Sequence, residues 1–278
     1  MLNLNSVLPP LRVHSWGGFG SQLNALAFTL DFLTISSGRR VHLVIHTGGV
    51  TRRSMEIAEL LPSYITWSEV NDFSHKANTR KRKINLRSFA SLLSKKLGFV
   101  VFPESNSDFT KIKFWTISSR GHYSYINFSK NTVTMIFEII TKSGAESRNY
   151  ENIVHYRLGD LLSVGKGFVE PYNLLQLTDS MGIKKWHVLT DSPDMAQKMF
   201  DELSSRILIN GILKLPPILL IKTGVQSRIF VGTTSKLSIW ICVFRIYLDS
   251  GVTFMPKSLR VNLVQLFEGQ TPKNLDFY

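Results

Sequence analysis

Val154-His155-Tyr156-Arg157-Leu158-Gly159-Asp160 reads as a short apolar strand that ends by presenting a histidine and an arginine. In an extended chain alternate residues share a face, so His155 and Arg157 are expected to point together and Tyr156 away from them. A guanidinium is a planar fork of donors suited to phosphate, and an imidazole beside it can hydrogen-bond a base or a second phosphate. Gly159 permits a turn, and Asp160 is placed to cap a following helix. A strand that delivers such groups at its carboxyl end describes a nucleotide site in an α/β protein.

The same punctuation recurs downstream. Residues 186–189 form a strand that ends in Thr190-Asp191-Ser192-Pro193, with Pro193 at the first position of a helix over 195–203. A further strand is expected at 206–209. Residues 229–231 form another, ending in Gly232-Thr233-Thr234-Ser235 before a helix over 237–247, and residues 252–254 close the sheet. In a parallel sheet these strand ends meet on one edge, where helix N-termini also present free N–H groups. Arg157, Thr234 and Ser235 suit a diphosphate, and a carboxylate such as Asp191 suits the donor edge of guanine. Each piece also has a plainer reading. His-x-Arg is equally a surface pair or an arginine neutralised by Asp160, and Thr-Asp-Ser-Pro and Gly-Thr-Thr-Ser are equally helix caps.

Upstream, a strand beginning at Leu11 runs into Trp16-Gly17-Gly18-Phe19-Gly20-Ser21-Gln22. A helix follows, with Leu23, Leu26, Ala27, Leu30 and Leu33 on its repeat and Gly38 as its stop, and residues 41–45 are the next strand. This is a βαβ unit. It is not a dinucleotide fingerprint, because Leu23 stands where a third glycine is required and His46 where an acid is required. A short helix over 55–61 is stopped by Pro62, and Tyr123, Tyr125 and Phe128 open a helix reaching Ile140. The linker is expected at residues 142–150, which divides the chain into domains 1–141 and 151–278.

The chain has 278 residues, 44% of them hydrophobic, and carries a formal net charge of +13. An anionic partner is implied. Between residues 73 and 103 there is no acid, while Lys76, Arg80, Lys81, Arg82, Lys83, Arg87, Lys95 and Lys96 supply eight cations. An anionic membrane is the expected contact of residues 76–96. Aromatics at base-stacking spacing are missing from that stretch, so nucleic acid is not expected. One cysteine, Cys242, excludes an internal disulfide and a thiolate zinc cluster. The N-terminus lacks a signal-peptide pattern, and the longest apolar run, residues 237–248, is too short to span a bilayer and contains Arg245. The expected location is the cytoplasm, peripheral at the inner face of the cytoplasmic membrane.

Taken in order, these motifs resemble those of the bacterial α-1,2-fucosyltransferases within the α-1,2/α-1,6 fucosyltransferase superfamily (glycosyltransferase family 11-like). Gly17-Gly18-Phe19-Gly20-Ser21-Gln22 is similar to the family's Gly-Gly-x-Gly-Asn-Gln motif, and His155-Tyr156-Arg157-Leu158-Gly159-Asp160 to its His-x-Arg-Arg-x-Asp motif. Thr190-Asp191-Ser192-Pro193 and Gly232-Thr233-Thr234-Ser235 are similar to its later segments, and Arg120-Gly121-His122-Tyr123 to a mid-chain Gly-Tyr-Phe-Gln segment. The chain departs from the pattern at Ser21, Leu158 and Ser192.

The resemblance implies a GT-B-like α/β fold, two Rossmann-like domains facing a central cleft, with the acceptor on the N-terminal side and the donor on the C-terminal side. It implies an inverting, metal-independent transfer of L-fucose from GDP-fucose to a galactoside or oligosaccharide, free or lipid-linked, in surface polysaccharide (O-antigen or capsule) synthesis. No cofactor and no metal ligand is implied; GDP-fucose is a substrate. Arg157 would be catalytic, holding the leaving diphosphate. His155 and Asp191 would face guanine and ribose, Thr234 and Ser235 the phosphates, and Gly18 and Gly20 would complete the donor site. His14, Asp31 and Glu56 are the candidate general bases. The contending class is a non-catalytic basic α/β protein that binds nucleic acid or an anionic membrane, with a nicotinamide oxidoreductase behind it.

Overall fold

A computed structural model of the chain describes residues 8–36, 38–48, 55–71, 93–102, 106–120, 128–144, 146, 148–159, 171–183, 185–202 and 207–278. Asp160, residues 121–127 (with Tyr123 and Tyr125), Arg206, and the cations from Lys76 to Arg87 lie outside the described residues. The chain divides into two compact units, Met1–Thr132 and Val133–Tyr278. Each is built on a wholly parallel sheet, the α/β class expected of alternating strands and helices.

The first unit runs β1 (Leu11–Trp16), α1 (Phe19–Ile35), β2 (Val41–His46), α2 (Glu56–Leu60), β3 (Thr66–Val70), β4 (Val100–Val101) and β5 (Ser118–Arg120). Its strands lie in the order β3-β2-β1-β5-β4. The chain turns from β1 into α1 at Gly17, whose φ of +105° lies in the region that favours glycine. A Cβ there would also sit 2.9 Å from Ser21 Oγ. Helix α1 packs on β1 and β2, and Leu11, Val13, Leu43 and Ile45 are completely buried. The helix is buried on nearly its whole circumference from Phe19 to Phe32, with Phe109 against Phe28 and Phe32. That is why its apolar stripe is broad.

Helix α3 (Lys130–Lys142) runs from the end of the first unit into the second. There follow β6 (Asn152–Tyr156), α4 (Pro171–Met181), β7 (Lys185–Thr190), α5 (Pro193–Asp201) and β8 (Leu208–Leu213). Then come α6 (Pro217–Gln226), β9 (Ile229–Val231), α7 (Lys236–Tyr247), β10 (Val252–Met255), α8 (Arg260–Leu266) and β11 (Leu275–Phe277). The strand order is β11-β10-β9-β6-β7-β8. The chain winds one way from β6 to β8, then returns to the other side of β6 at β9. The order reverses between β6 and β9, the place where open α/β sheets bind ligands.

Three expectations need correction. The third strand is longer than read and lies at Leu208–Leu213. Its Asn210-Gly211 is a turn signal in isolation, but an edge strand tolerates it, and Asn210 is the extra residue of a bulge in β8 opposite Trp186 and His187. Residues 252–254 do not close the sheet, because β11 pairs beyond them. Finally, β6 is buried on both faces, as a central parallel strand must be. Alternation holds, with His155 turned to Ser238 of α7 and Tyr156 to the other face, but the face of His155 is covered rather than presented to a ligand. Tyr156 packs edge-on to Phe200 in the core.

Candidate functional site

Arg157 stands one residue beyond β6, where the backbone leaves the sheet. Its side chain is 25% exposed, and its Nε lies 3.9 Å from Asp191 Oδ2, a loose ion pair. Asp191 is the organising group. Its Oδ1 accepts from the backbone N–H of Leu158 at 2.8 Å and of Gly159 at 3.1 Å, which ties the end of β7 to the end of β6. A Cβ at Gly159 would stand 2.8 Å from Asp191 Oδ2, so a larger residue there would push that carboxylate aside. Among the described residues the carboxylate beside the arginine comes from the next strand; Asp160, the local partner of the plainer reading, lies outside them. Leu158, in the position of a second arginine, is fully buried in the core that contains Val154, Trp186 and Val188.

His155 is only 3% exposed. Its Nδ1 is 2.7 Å from Ser238 Oγ in the first turn of α7. Ser238 Oγ also accepts from Thr233 N–H at 3.0 Å, and Ser235 caps α7 by accepting from Ser238 N–H at 3.1 Å. A buried chain of hydroxyls therefore fastens the β9–α7 loop to β6. Tyr278 clamps the same loop by donating to the Gly232 carbonyl at 2.8 Å. Ser235 is buried while Thr234 is half-buried beside it. Of the residues expected to form the site, Arg157, Asp191, Thr234 and Ser235 stand at the ends of β6, β7 and β9, and His155 fixes the loop from below. Gly18, the cap of α1, and Gly20, inside its first turn, belong to the first unit.

Lys236 is the residue sequence reasoning missed. It is the first residue of α7, and burial pushes its ammonium down to about 8. A cation at a helix N-terminus opposes the dipole, so its placement calls for negative charge nearby. The available signal was its position directly after Gly-Thr-Thr-Ser.

Burial, with a smaller push from Arg157, holds the His155 imidazole down to about 4, so it is neutral at pH 7. The unfolded chain takes up that proton near 6.5 and the folded chain only near 4, so stability is lost as pH falls through this window. The loss reaches about 3 kcal/mol from this one group. Urea unfolding between pH 7 and pH 4 should show that decline, and His155→Asn, which keeps a polar atom near the Nδ1 position, should show a shallower one. Equal slopes would contradict the assignment.

Of the candidate bases, Asp31 is buried in α1 and accepts from Ser129 and Thr132. Glu56 opens α2. His14 lies on β1 within hydrogen-bond distance of His46. Among the described residues no three His, Cys, Asp or Glu side chains group as a metal set, and no helix is long and apolar enough to cross a membrane.

No protein-family model matches the chain, and no curated protein matches it. Solved structures align at a distance. E. coli heptosyltransferase WaaC with ADP covers 96% of this chain and 92% of its own, at 12% identity and a TM-score of 0.45. POFUT1 in complex with GDP-fucose covers 99% of both chains at 12% identity and a TM-score of 0.41. The S. aureus MnaA–UDP structure covers 90% of this chain and 80% of its own, at 11% identity and a TM-score of 0.43. Likenesses this remote assign nothing to this chain, and its own residues have to carry the reading.

Proposed function

We propose that this chain is an inverting nucleotide-sugar glycosyltransferase of GT-B type that transfers fucose from GDP-fucose to a galactoside or oligosaccharide acceptor in surface-polysaccharide synthesis. One observation carries the reading. The ends of β6 and β9, at the reversal of strand order, hold Arg157, Thr234, Ser235 and Lys236 around a helix N-terminus. That set suits a diphosphate. The order of motifs that resembles the fucosyltransferases supports the choice of sugar.

In this reading Arg157 forks onto the β-phosphate and stabilises it as the sugar C1–O bond breaks. The N–H groups at the start of α7 and the Lys236 ammonium share that charge. The acceptor hydroxyl attacks C1 from the opposite side, inverts it, and gives its proton to a base. No metal is needed where these groups neutralise the leaving group. Asp191 holds the backbone that carries Arg157 and offers its second oxygen to the nucleoside. The N-terminal unit takes the acceptor, and Gly18 and Gly20 offer backbone N–H groups at the start of α1. The cationic stretch of residues 76–96 would keep the enzyme at the inner face of the cytoplasmic membrane, near a lipid-linked acceptor.

Titration of the protein with GDP, UDP and ADP tests the donor. Tightest binding of GDP is the expected result. Equal binding of all three would remove the fucose assignment. Binding of none, with steeply salt-dependent capture of nucleic acid, would remove the enzyme reading in favour of a basic binding protein.

A further inference from the structure

The second face of the first unit's sheet is polar, which a parallel sheet rarely allows. Strand register places Arg12, His14 and Trp16 of β1 on one face with His42, Val44 and His46 of β2. Ser118 and Arg120 of β5 share that face, as do Thr66, Ser68 and Val70 of β3. The rings of Trp16 and His46 stack with centroids 4.3 Å apart, and His14 lies 5.4 Å from Trp16 and 5.2 Å from His46. His14 Nδ1 and His46 Nε2 are 2.9 Å apart. His42 is held by Thr66 and Ser68, each at 2.9 Å.

Arg120 stands directly across from His14 in the register, and Arg12 two residues before His14 on the same strand. No acid stands on this face among the described strand residues. Glu69 falls on the opposite one, where it accepts from Thr47. After burial, the groups that push the His14 imidazole down to about 4 are Arg120, His46, Arg12 and His42, all cationic or imidazole. Arg12 and Arg120 are exposed, His14 and Trp16 half-buried, and His46 buried. Exposed cations therefore stand on the same face as half-buried rings.

We infer that this face binds the phosphate group of a soluble phosphorylated small molecule, gripped by Arg12 and Arg120 above the His14–Trp16–His46 stack. A tetrahedral dianion takes donors from two strands at once, whereas a planar carboxylate is satisfied by one guanidinium fork. Half-buried rings with a cation on each of two adjacent strands suit a small ligand, held by a few convergent groups, better than the plane of a membrane. The site lies in the first unit alone and stands whether or not the second binds GDP.

The test uses the Arg157→Ala protein, so that phosphate bound at the proposed donor site does not enter. Inorganic phosphate and glucose 1-phosphate are titrated while the indole N–H of Trp16, assigned through Trp16→Phe, is followed by NMR. A saturable shift of that signal is expected with both probes. Arg12→Gln/Arg120→Gln should weaken it at least about tenfold, and Arg12→Lys/Arg120→Lys should recover part of it. Both arginines are exposed, and an unchanged melting temperature verifies the fold of each variant. No shift at Trp16, or a shift indifferent to both arginines, overturns the proposal. So does a response to anionic phospholipid vesicles without one to the soluble phosphates.

Discussion

Arg157→Ala is expected to lower fucose transfer by about a hundred- to a thousandfold, the usual cost of removing one donor aimed at charge that develops in a transition state. The fold should persist. The side chain lies beyond the last residue of β6 and is partly exposed. The bonds that shape the strand end run instead from Asp191 to the backbone of Leu158 and Gly159. Arg157→Lys should fall between wild type and alanine, because an ammonium keeps the charge but not the fork. Single-turnover transfer from GDP-fucose, with circular dichroism as the control for folding, measures both. Wild-type rates in the alanine variant would refute the phosphate role.

The second large effect is on stability. Arg245→Leu should destabilise the protein by about 3–5 kcal/mol, the cost of taking the donor from several buried acceptors at once. Arg245 is 0% exposed. Its guanidinium donates to the carbonyls of Gly224, Val225 and Ser227, to that of Val252, and to Thr253 Oγ1, all within 2.7–3.0 Å. These bonds join the end of α6, the turn into β9 and the start of β10. Leucine would fill part of the space and take a donor from each of those carbonyls; Gly224 keeps the Ser227 hydroxyl, and each of the others left without a partner costs about 1–3 kcal/mol. Burial pushes the guanidinium down to about 10, still charged at neutral pH. Urea unfolding of the variant measures the loss; a change within about 0.5 kcal/mol, the range of ordinary surface substitutions, would show the network to be incidental.

Arg245 also marks the limit of what the sequence discloses. In the sequence it interrupts an apolar run and argues against a membrane span. That it is the hub of seven backbone and side-chain bonds depends on three distant segments meeting. The strands with clear edges, β1, β2, β6, β7 and β9, were legible because apolar runs stop at Gly, Thr-Asp or His-x-Arg. The weak ones were not. β4 has two residues, β5 and β11 three each, and β3 shows no apolar face in its sequence. Such strands exist because a longer neighbour pairs with them.

The site divides in the same way. Positions could be read from strand ends, but roles could not. His155 looked like a ligand group, yet the burial of β6 turns it inward to Ser238. Asp191 looked like a cap or a base contact, and its first oxygen holds the neighbouring strand end. The sheet face of Arg12, His14 and Trp16 escaped notice because Arg120 lies far away in sequence and reaches it only through the β1–β5 pairing.

The central claim is that the ends of β6 and β9 grip a nucleoside diphosphate. Hydrogen exchange of the protein with and without saturating GDP tests it most directly. Slowed exchange at the amides of residues 157–159 and 233–238, lost in Arg157→Ala, is the predicted result. Protection confined to other segments, or the same protection without Arg157, would contradict it.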